Sequence, residues 1–393
     1  METLGIYVQI PFCASKCSFC NFSSRVERAE VFGNYAPTVC REIESLPEIY
    51  QGHGIETPFL SRPVDTAYLG GGTPAILGVD LLSEIVSSLQ NRFSFADSVE
   101  FTLETTPGSA DREFLRRASA LGINRLSIGA QSFEEHELKS VGRLHSAEDT
   151  CALVESTRRE GFRNISLDLI AGLPHQTDSS WQRTLATTVA LRPEHVSVYL
   201  FEIDSKSRLG NEVRGHGSRY HAAHVPDEEF MAQAYETARD ALTRAGYVQY
   251  EISNFALVGF ESRHNLKYWQ LKPYVGIGAG AHSFDGVHRW ANVAEPGDYT
   301  TAVLSGDSPI ADCRSLSSEE QVEEFFFLGL RQREGIDLEQ ARRRWGPELV
   351  ARWAPTISHL AREGMLDRQS ERLSLADHAY LISNEIFQEF LAP

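Results

Sequence analysis

Six short apolar runs alternate with longer amphipathic stretches through the first two hundred residues, and no other feature of the chain constrains its fold as tightly. The runs are GIYVQI (5–10), TAYL (66–69), VEFTLE (99–104), RLSIGA (125–130), NISLDLI (164–170) and HVSVYLF (195–201). Between them lie stretches such as VDLLSEIVSSLQNRF and DREFLRRASALG, in which apolar residues recur every three or four positions, the period of an amphipathic helix. Strand, helix, strand in repetition predicts a parallel sheet with helical crossovers. Six such units fall short of the eight that close a barrel. The expected class is therefore α/β, an open partial (βα)6 TIM-like barrel.

In parallel βα folds the chemistry collects at the C-terminal ends of the strands. Each expected strand here runs out into polar or glycine-rich sequence. The first leads into a cysteine loop and the second into Gly70-Gly71-Gly72-Thr73-Pro74. The third ends at Glu104, the fourth leads to Gln131, and the fifth carries Asp168 ahead of Gly172-Leu173-Pro174. The sixth ends near Tyr199 and Glu202. A whole rim of such residues predicts a binding surface.

The cysteine loop, PFCASKCSFCNF, spaces Cys13, Cys17 and Cys20 as C-x3-C-x2-C. Three thiolates hold three irons of a [4Fe–4S] cluster, whose usual protein ligand is cysteine. The fourth iron is then free for a small chelator, and the amino and carboxylate groups of S-adenosylmethionine (SAM) suit it. A zinc site, the alternative, wants a fourth Cys or His close by, and the nearest histidine is His53. Disulfides would want an even set in a secreted chain. Cys40, Cys151 and Cys313 are scattered singly, as core thiols are.

A length of 393 residues allows one large domain and a small one. Residues 1–228 are read as the barrel core with its cysteine loop and 229–315 as a continuation of it. Residues 316–393, with SSEEQVEEFFFLGLRQREGID, a helix around 347–363 and a hairpin in GMLDRQSERLSL, are read as a small α+β winged-helix-like domain. The formal net charge of −17 argues against a broad nucleic-acid surface. No apolar run approaches the length of a membrane span, and METLGIYVQIPF lacks the basic flank of a signal peptide. With free thiols, this points to a reducing cytoplasm. Residues 203–228 are loop-like and carry His216, His221 and His224. They are read as a solvated insertion rather than a metal site, because the spacing matches no helical histidine pair.

Taken together the motifs resemble the radical-SAM family that contains the oxygen-independent coproporphyrinogen III dehydrogenases and their relatives, the heme chaperones. The matching stretches run in order through nearly the whole chain: YVQIPFCASKCSFCNF, LGGGTPAIL, LSIGAQSFEEHELKSVGRLHS, SLDLIAGLPHQT, YEISNFA, HNLKYW and YVGIGAGAHSF. The resemblance implies that Cys13, Cys17 and Cys20 ligate the cluster and that Gly71, Gly72 and Thr73 approach the SAM methionyl amine. It implies SAM contacts for Glu104, Gln131, Arg143 and Asp168, with a guanidinium fork for the methionyl carboxylate. Tyr7 is expected near the same end of the first strand. His264, in HNLKYW, is the candidate axial ligand for heme, against a reading as a polar corner whose His and Asn bond backbone groups.

Two features favour the chaperone branch. Phe22 stands where the dehydrogenases carry a further cysteine, and the motif begins too early to leave room for their N-terminal extension. One departs from both branches: Gln9 stands where His is usual, and an amide cannot relay a proton as imidazole does. The implied role is binding heme and passing it to an acceptor protein, with an electron donor serving the cluster. The alternative is oxidative decarboxylation of coproporphyrinogen III.

Overall fold

The computed structural model describes residues 2–391. The predicted rhythm is realised as β1 (Leu4–Gln9), α1 (Ala29–Gly52), β2 (Val64–Gly70), α2 (Gly78–Arg92), β3 (Phe95–Thr105), α3 (Arg112–Ala120), β4 (Arg125–Gln131), α4 (Glu135–Ser140), α5 (Ala147–Arg159), β5 (Ile165–Ala171), α6 (Asp178–Leu191) and β6 (His195–Leu200). Three of these helices, α3, α5 and α6, begin where a side chain satisfies an orphan N–H group of the first turn. Asp111 caps α3, and reciprocal capping boxes open α5 (Ser146 with Asp149) and α6 (Thr177 with Ser180).

Strands β1 to β6 pair in sequence order and all in parallel. Along β4, Leu126, Ile128 and Ala130 are fully buried in the main hydrophobic core, while the alternate residues Arg125, Ser127, Gly129 and Gln131 line the cleft on the other side. This alternation is the period of a strand. It leaves a polar barrel interior inside an apolar jacket.

The remaining elements are α7 (Arg208–Arg214), α8 (Glu228–Arg244), β7 (Val248–Gln249), β8 (Asn254–Ala256), α9 (Arg263–Trp269), β9 (Tyr274–Ile277), β10 (His282–Phe284), β11 (His288–Asn292), α10 (Pro296–Ser305) and β12 (Ile310–Ser315). The sheet has twelve strands in the order β12-β11-β10-β9-β1-β2-β3-β4-β5-β6-β8-β7. Strand β9 pairs in parallel with β1 (Gly5 opposite Tyr274), and β10 to β12 continue antiparallel beyond it. On the other side β6 takes β8 antiparallel. The barrel is thus open, as expected, but longer at both edges than the six units foreseen. The segment 203–228, expected as loop, contains the short helix α7 and a 3₁₀ turn at Arg219–His224.

The C-terminal part carries α11 (Ser318–Gly329), β13 (Ile336–Asp337), α12 (Leu338–Trp345), α13 (Pro347–Val350), α14 (Ala354–Arg362), β14 (Leu366–Gln369), β15 (Arg372–Leu375) and α15 (Ser383–Gln388). The expected hairpin is β14–β15, and β13 joins it in a three-stranded antiparallel sheet. The helix expected around 347–363 is broken into α13, a 3₁₀ turn and α14, with Pro355 near the start of α14. Val322, Phe326, Trp353, Leu373 and Phe390 form a second core here, which Tyr235 of α8 also enters. Among the described residues no helix is long and apolar enough to cross a membrane.

Candidate functional site at the barrel mouth

The C-terminal ends of β1 to β6 open into one cleft of about 1440 Å³. Cys13, Cys17, Cys20, Gly71, Gly72, Thr73, Glu104, Gln131, Arg143 and Asp168 all line it. They arrive from three strands, β3, β4 and β5, and three loops, so the fold gathers what the sequence scatters over more than 150 positions.

The cysteine loop is zipped to the glycine turn that follows β2. Ile10 N donates to Gly70 O at 2.8 Å, and Thr73 N donates to Phe12 O at 2.7 Å. A Cβ on Gly72 would overlap the backbone of Ile10 and Phe12, so this glycine is required by close chain approach. Gly71 holds φ at 96° beneath the Gln9 amide. The glycines therefore hold the cysteine loop in place, a role the spacing alone did not reveal.

Each thiol has its own donor. Thr73 Oγ1 lies 3.8 Å from Cys13 Sγ, Arg143 Nη1 lies 3.6 Å from Cys17 Sγ, and Lys16 Nζ lies 3.8 Å from Cys20 Sγ. Lys16 Nζ is fixed in that position by Phe22 O at 2.6 Å and Ser24 Oγ at 3.0 Å. Burial pushes the Cys13 thiol up, against hydrogen bonds from Ser24 and Thr73. Among the described residues no three His, Cys, Asp or Glu side chains close on a point that suits a single metal ion. Three thiols facing one cleft without meeting at a point fit a multi-iron cluster, in which each sulfur takes a different iron. Among the described residues the Arg143 Nε is buried without a hydrogen-bond partner while Nη2 donates to Gly129 O, which leaves guanidinium capacity for a ligand carboxylate.

The acidic residues are held by short polar contacts. Glu104 accepts from Tyr68 OH at 2.8 Å and from Gly71 N at 2.9 Å, yet burial raises its carboxyl from 4.5 to about 7. Asp168 is held by Ser127 Oγ at 3.2 and 3.3 Å and by Ser166 Oγ at 3.4 Å, and burial pushes its carboxyl up as well. Gln131 takes a φ of 67° at a register shift in β4, a conformation sparsely populated by non-glycine residues. Deeper in the barrel Arg125 is buried, and its Nε has no hydrogen-bond partner among the described residues. Neither Arg125 nor Tyr68 is legible as a rim residue, because Arg125 opens β4 and Tyr68 lies within β2, away from the C-terminal strand ends. Their inward register on β4 and β2 was the available signal.

Two expected site residues are not brought to this cleft. Tyr7 packs against Tyr68 at 5.9 Å between ring centroids and donates its hydroxyl to Gln9 Oε1 at 2.7 Å. His264 is 1% exposed. Its Nδ1 lies 2.9 Å from Thr66 Oγ1 and its Nε2 lies 2.8 Å from Tyr268 OH. Its backbone N–H and that of Arg263 donate to the Glu100 carboxylate, both at 3.1 Å. Burial, reinforced by Lys267 and Arg125, lowers the imidazole to about 3, so it is neutral and both nitrogens are already engaged. This is a buried polar corner of another kind than expected, because the ring nitrogens meet the side-chain hydroxyls of Thr66 and Tyr268 rather than backbone groups, and iron ligation would require breaking one of the two contacts.

Comparison with known proteins places these features. Residues 7–187 match the Radical SAM superfamily and residues 316–382 match the HemN C-terminal domain. The chain is 33% identical over 387 residues to the heme chaperone HemW of Bacillus subtilis, covering 98% of each chain. It is 31% identical to HemW of Lactococcus lactis, covering 98% of this chain and 96% of that one. Its fold is similar to coproporphyrinogen III oxidase (HemN) from Escherichia coli, a radical SAM enzyme, with a TM-score of 0.85 at 23% identity over 100% of this chain and 90% of that one. With this fold and similarity to HemW along almost its entire length, the chain belongs to the HemW family of the radical SAM superfamily.

Proposed function

We propose that this chain is a heme chaperone that binds heme and transfers it to an acceptor protein, with a [4Fe–4S] cluster and SAM at the barrel mouth. The observation that carries the reading is the end-to-end similarity to HemW in both directions, where the oxidase supports the fold alone. Phe22 adds to it: in place of a further cysteine it offers an apolar side chain, 68% exposed, at the mouth of the cleft.

In this reading Cys13, Cys17 and Cys20 hold the cluster. Gly71, Gly72 and Thr73 shape the wall beside the methionyl amine, Arg143 takes the methionyl carboxylate, and Glu104, Gln131 and Asp168 accept the remaining polar groups. The cluster and SAM, when bound, supply one-electron reductive chemistry at the sulfonium. The protein's own contribution is to hold three thiolates apart, place Lys16 and Arg143 against two of them, and keep the carboxyls of Glu104 and Asp168 in a low-dielectric pocket. Cations and hydrogen bonds at cluster sulfurs are established levers on cluster potential. Tyr7 and His264 brace the barrel interior behind Tyr68.

The test is an anaerobic heme titration of cluster-reconstituted protein, followed by mixing with the apo form of a heme protein. Saturation near one heme per chain, then transfer of the Soret absorbance to the acceptor, is expected. Conversion of coproporphyrinogen III by the wild type, abolished in Cys17→Ser, would replace this reading with the oxidase one.

A further inference from the structure

Outside the barrel mouth, four imidazoles from three separate segments meet on one surface patch. His136 lies on α4, His175 follows β5, and His221 and His224 belong to the Arg219–His224 turn. The His175 ring packs 4.2 Å from His136 and 4.1 Å from His224 between centroids. Its Nε2 lies 3.0 Å from Nδ1 of His221, and its backbone N–H donates to His224 O at 2.9 Å. His175 and His221 both hold positive φ, 68° and 59°. Such conformations cost non-glycine residues on the order of 1–3 kcal/mol and cluster at functional sites.

His221 also lines a second cavity, of about 440 Å³, on the outer side of the cysteine loop. Its other walls include Lys16, Lys139, Arg208 and Tyr220, and no Asp or Glu lines it. In a chain of net charge −17 an acid-free, cation-lined cavity stands apart and favours an anionic ligand. The volume lies within the roughly 300–1,000 Å³ of small-molecule and cofactor sites. Arg208 is fixed there by the Lys16 carbonyl and by the Tyr220 ring, 5.1 Å from its guanidinium carbon. Lys139 is exposed and pairs only loosely with Glu135, at 3.6 Å.

The patch does not present three nitrogens to a bare ion. A heme iron arrives with four nitrogens of its own and asks the protein for one or two imidazoles. We propose that this patch receives heme: His221 at the cavity wall supplies an axial imidazole, and Arg208 and Lys139 meet the propionate carboxylates. The proposal rests on the heme-chaperone reading above and moves the iron contact from buried His264 to the surface. A surface site also suits a protein whose cargo has to leave again, because neither loading nor release has to open the core. Burial and the neighbouring imidazoles lower the His175 pKa, which favours its neutral form.

The experiment is titration of the full chain with heme and, separately, with iron-free protoporphyrin, read by absorbance and by EPR of the ferric complex. His221→Ala, and the triple change of His175, His221 and His224 to Ala, are expected to weaken heme binding at least tenfold and to remove the nitrogen-ligated spectrum. Iron-free porphyrin should be indifferent to the histidine changes but weakened by Arg208→Glu. His221→Gln tests the same ligand should the triple variant fold poorly. His216→Ala removes an exposed imidazole of the same segment that lies outside the cluster, and should change nothing. Wild-type affinity and spectrum in the triple variant would overturn the site, as would equal losses from His216→Ala and His221→Ala. A wild type that binds no heme at all would sink the chaperone reading and the site together.

Discussion

Glu104 offers a test in which the sign and the size both follow from the structure. Its carboxyl accepts from Tyr68 and from the Gly71 amide, but burial outweighs both bonds and lifts it from 4.5 to about 7. The fold therefore prefers the neutral acid. The stability linked to this group is fully present below pH 4.5 and is lost as pH rises through about 7. At 1.36 kcal/mol per pH unit the interval sets a ceiling of about 3 kcal/mol, and the partial opening of the side chain to the cleft brings the expected figure to about 2 kcal/mol. Glu104→Gln is neutral at every pH and still offers an oxygen to Gly71 and an N–H to Tyr68. In urea melts the two proteins should match within a few tenths of a kcal/mol at about pH 4, below the unfolded value, and the Gln variant should be the more stable by about 2 kcal/mol at about pH 8. Other carboxyls raised by burial, such as Asp168 and Glu42, are common to both proteins and cancel in the difference. SAM brings a sulfonium cation, which favours the ionised acid. Its affinity for the wild type should rise between about pH 5 and 7, and that of Glu104→Gln should rise less, since Asp168 is still present. A stability difference that does not change with pH would refute the reasoning.

Three further outcomes are expected. Replacing Cys13, Cys17 or Cys20 with Ser should abolish the broad visible absorbance of the reconstituted cluster, and a wild-type iron and sulfide content near about four each per chain checks the cluster type; an unchanged spectrum in any one variant would remove that residue from the ligand set. His264→Ala leaves Thr66 and Tyr268 without partners around a buried cavity and should cost on the order of 2–4 kcal/mol in a urea melt. A variant of unchanged stability that loses its heme spectrum would reinstate His264 as the iron ligand. Gly71→Ala sets a Cβ against the Gln9 amide at a φ of 96° and should weaken SAM binding about tenfold or more; full affinity by equilibrium dialysis would show that the turn tolerates a side chain.

The parts of this molecule that were legible in its sequence are those in which local pattern and tertiary placement agree. Strands β1 to β6 announce themselves by short apolar runs between helical periods, and because parallel strands point one way, their ends named most of the rim in advance. Strand β9 did not announce itself. It is four residues long, fully buried, and finds β1 across some 270 positions, a pairing that only the closed core selects. The glycine turn was legible as a ligand wall but not as the clamp on the cysteine loop, since the contact of Gly72 with Ile10 and Phe12 is made across a parallel pair of strands.

Two histidines mark the limit of what local sequence specifies. His264 sits in a distinctive motif and His221 in an undistinguished polar loop, so sequence ranks the first above the second. A ligand, however, needs a lone pair that nothing else is using. In the structure His264 has both nitrogens engaged and 1% exposure, whereas His221 stands on a cavity wall beside His224 of its own turn and His175, which it meets only in the fold. His175, and His136 which packs on it, come from the β5–α6 connection and from α4, whose positions are set by the same parallel sheet that builds the mouth. The βα scaffold thus gathers polar residues twice, once on the inner side of the cysteine loop and once on its outer side. Lys16 and Ser18, the residues flanking Cys17, line the outer cavity while Cys17 itself lines the inner one. A ligand seated in the outer cavity would therefore touch the residues on either side of Cys17.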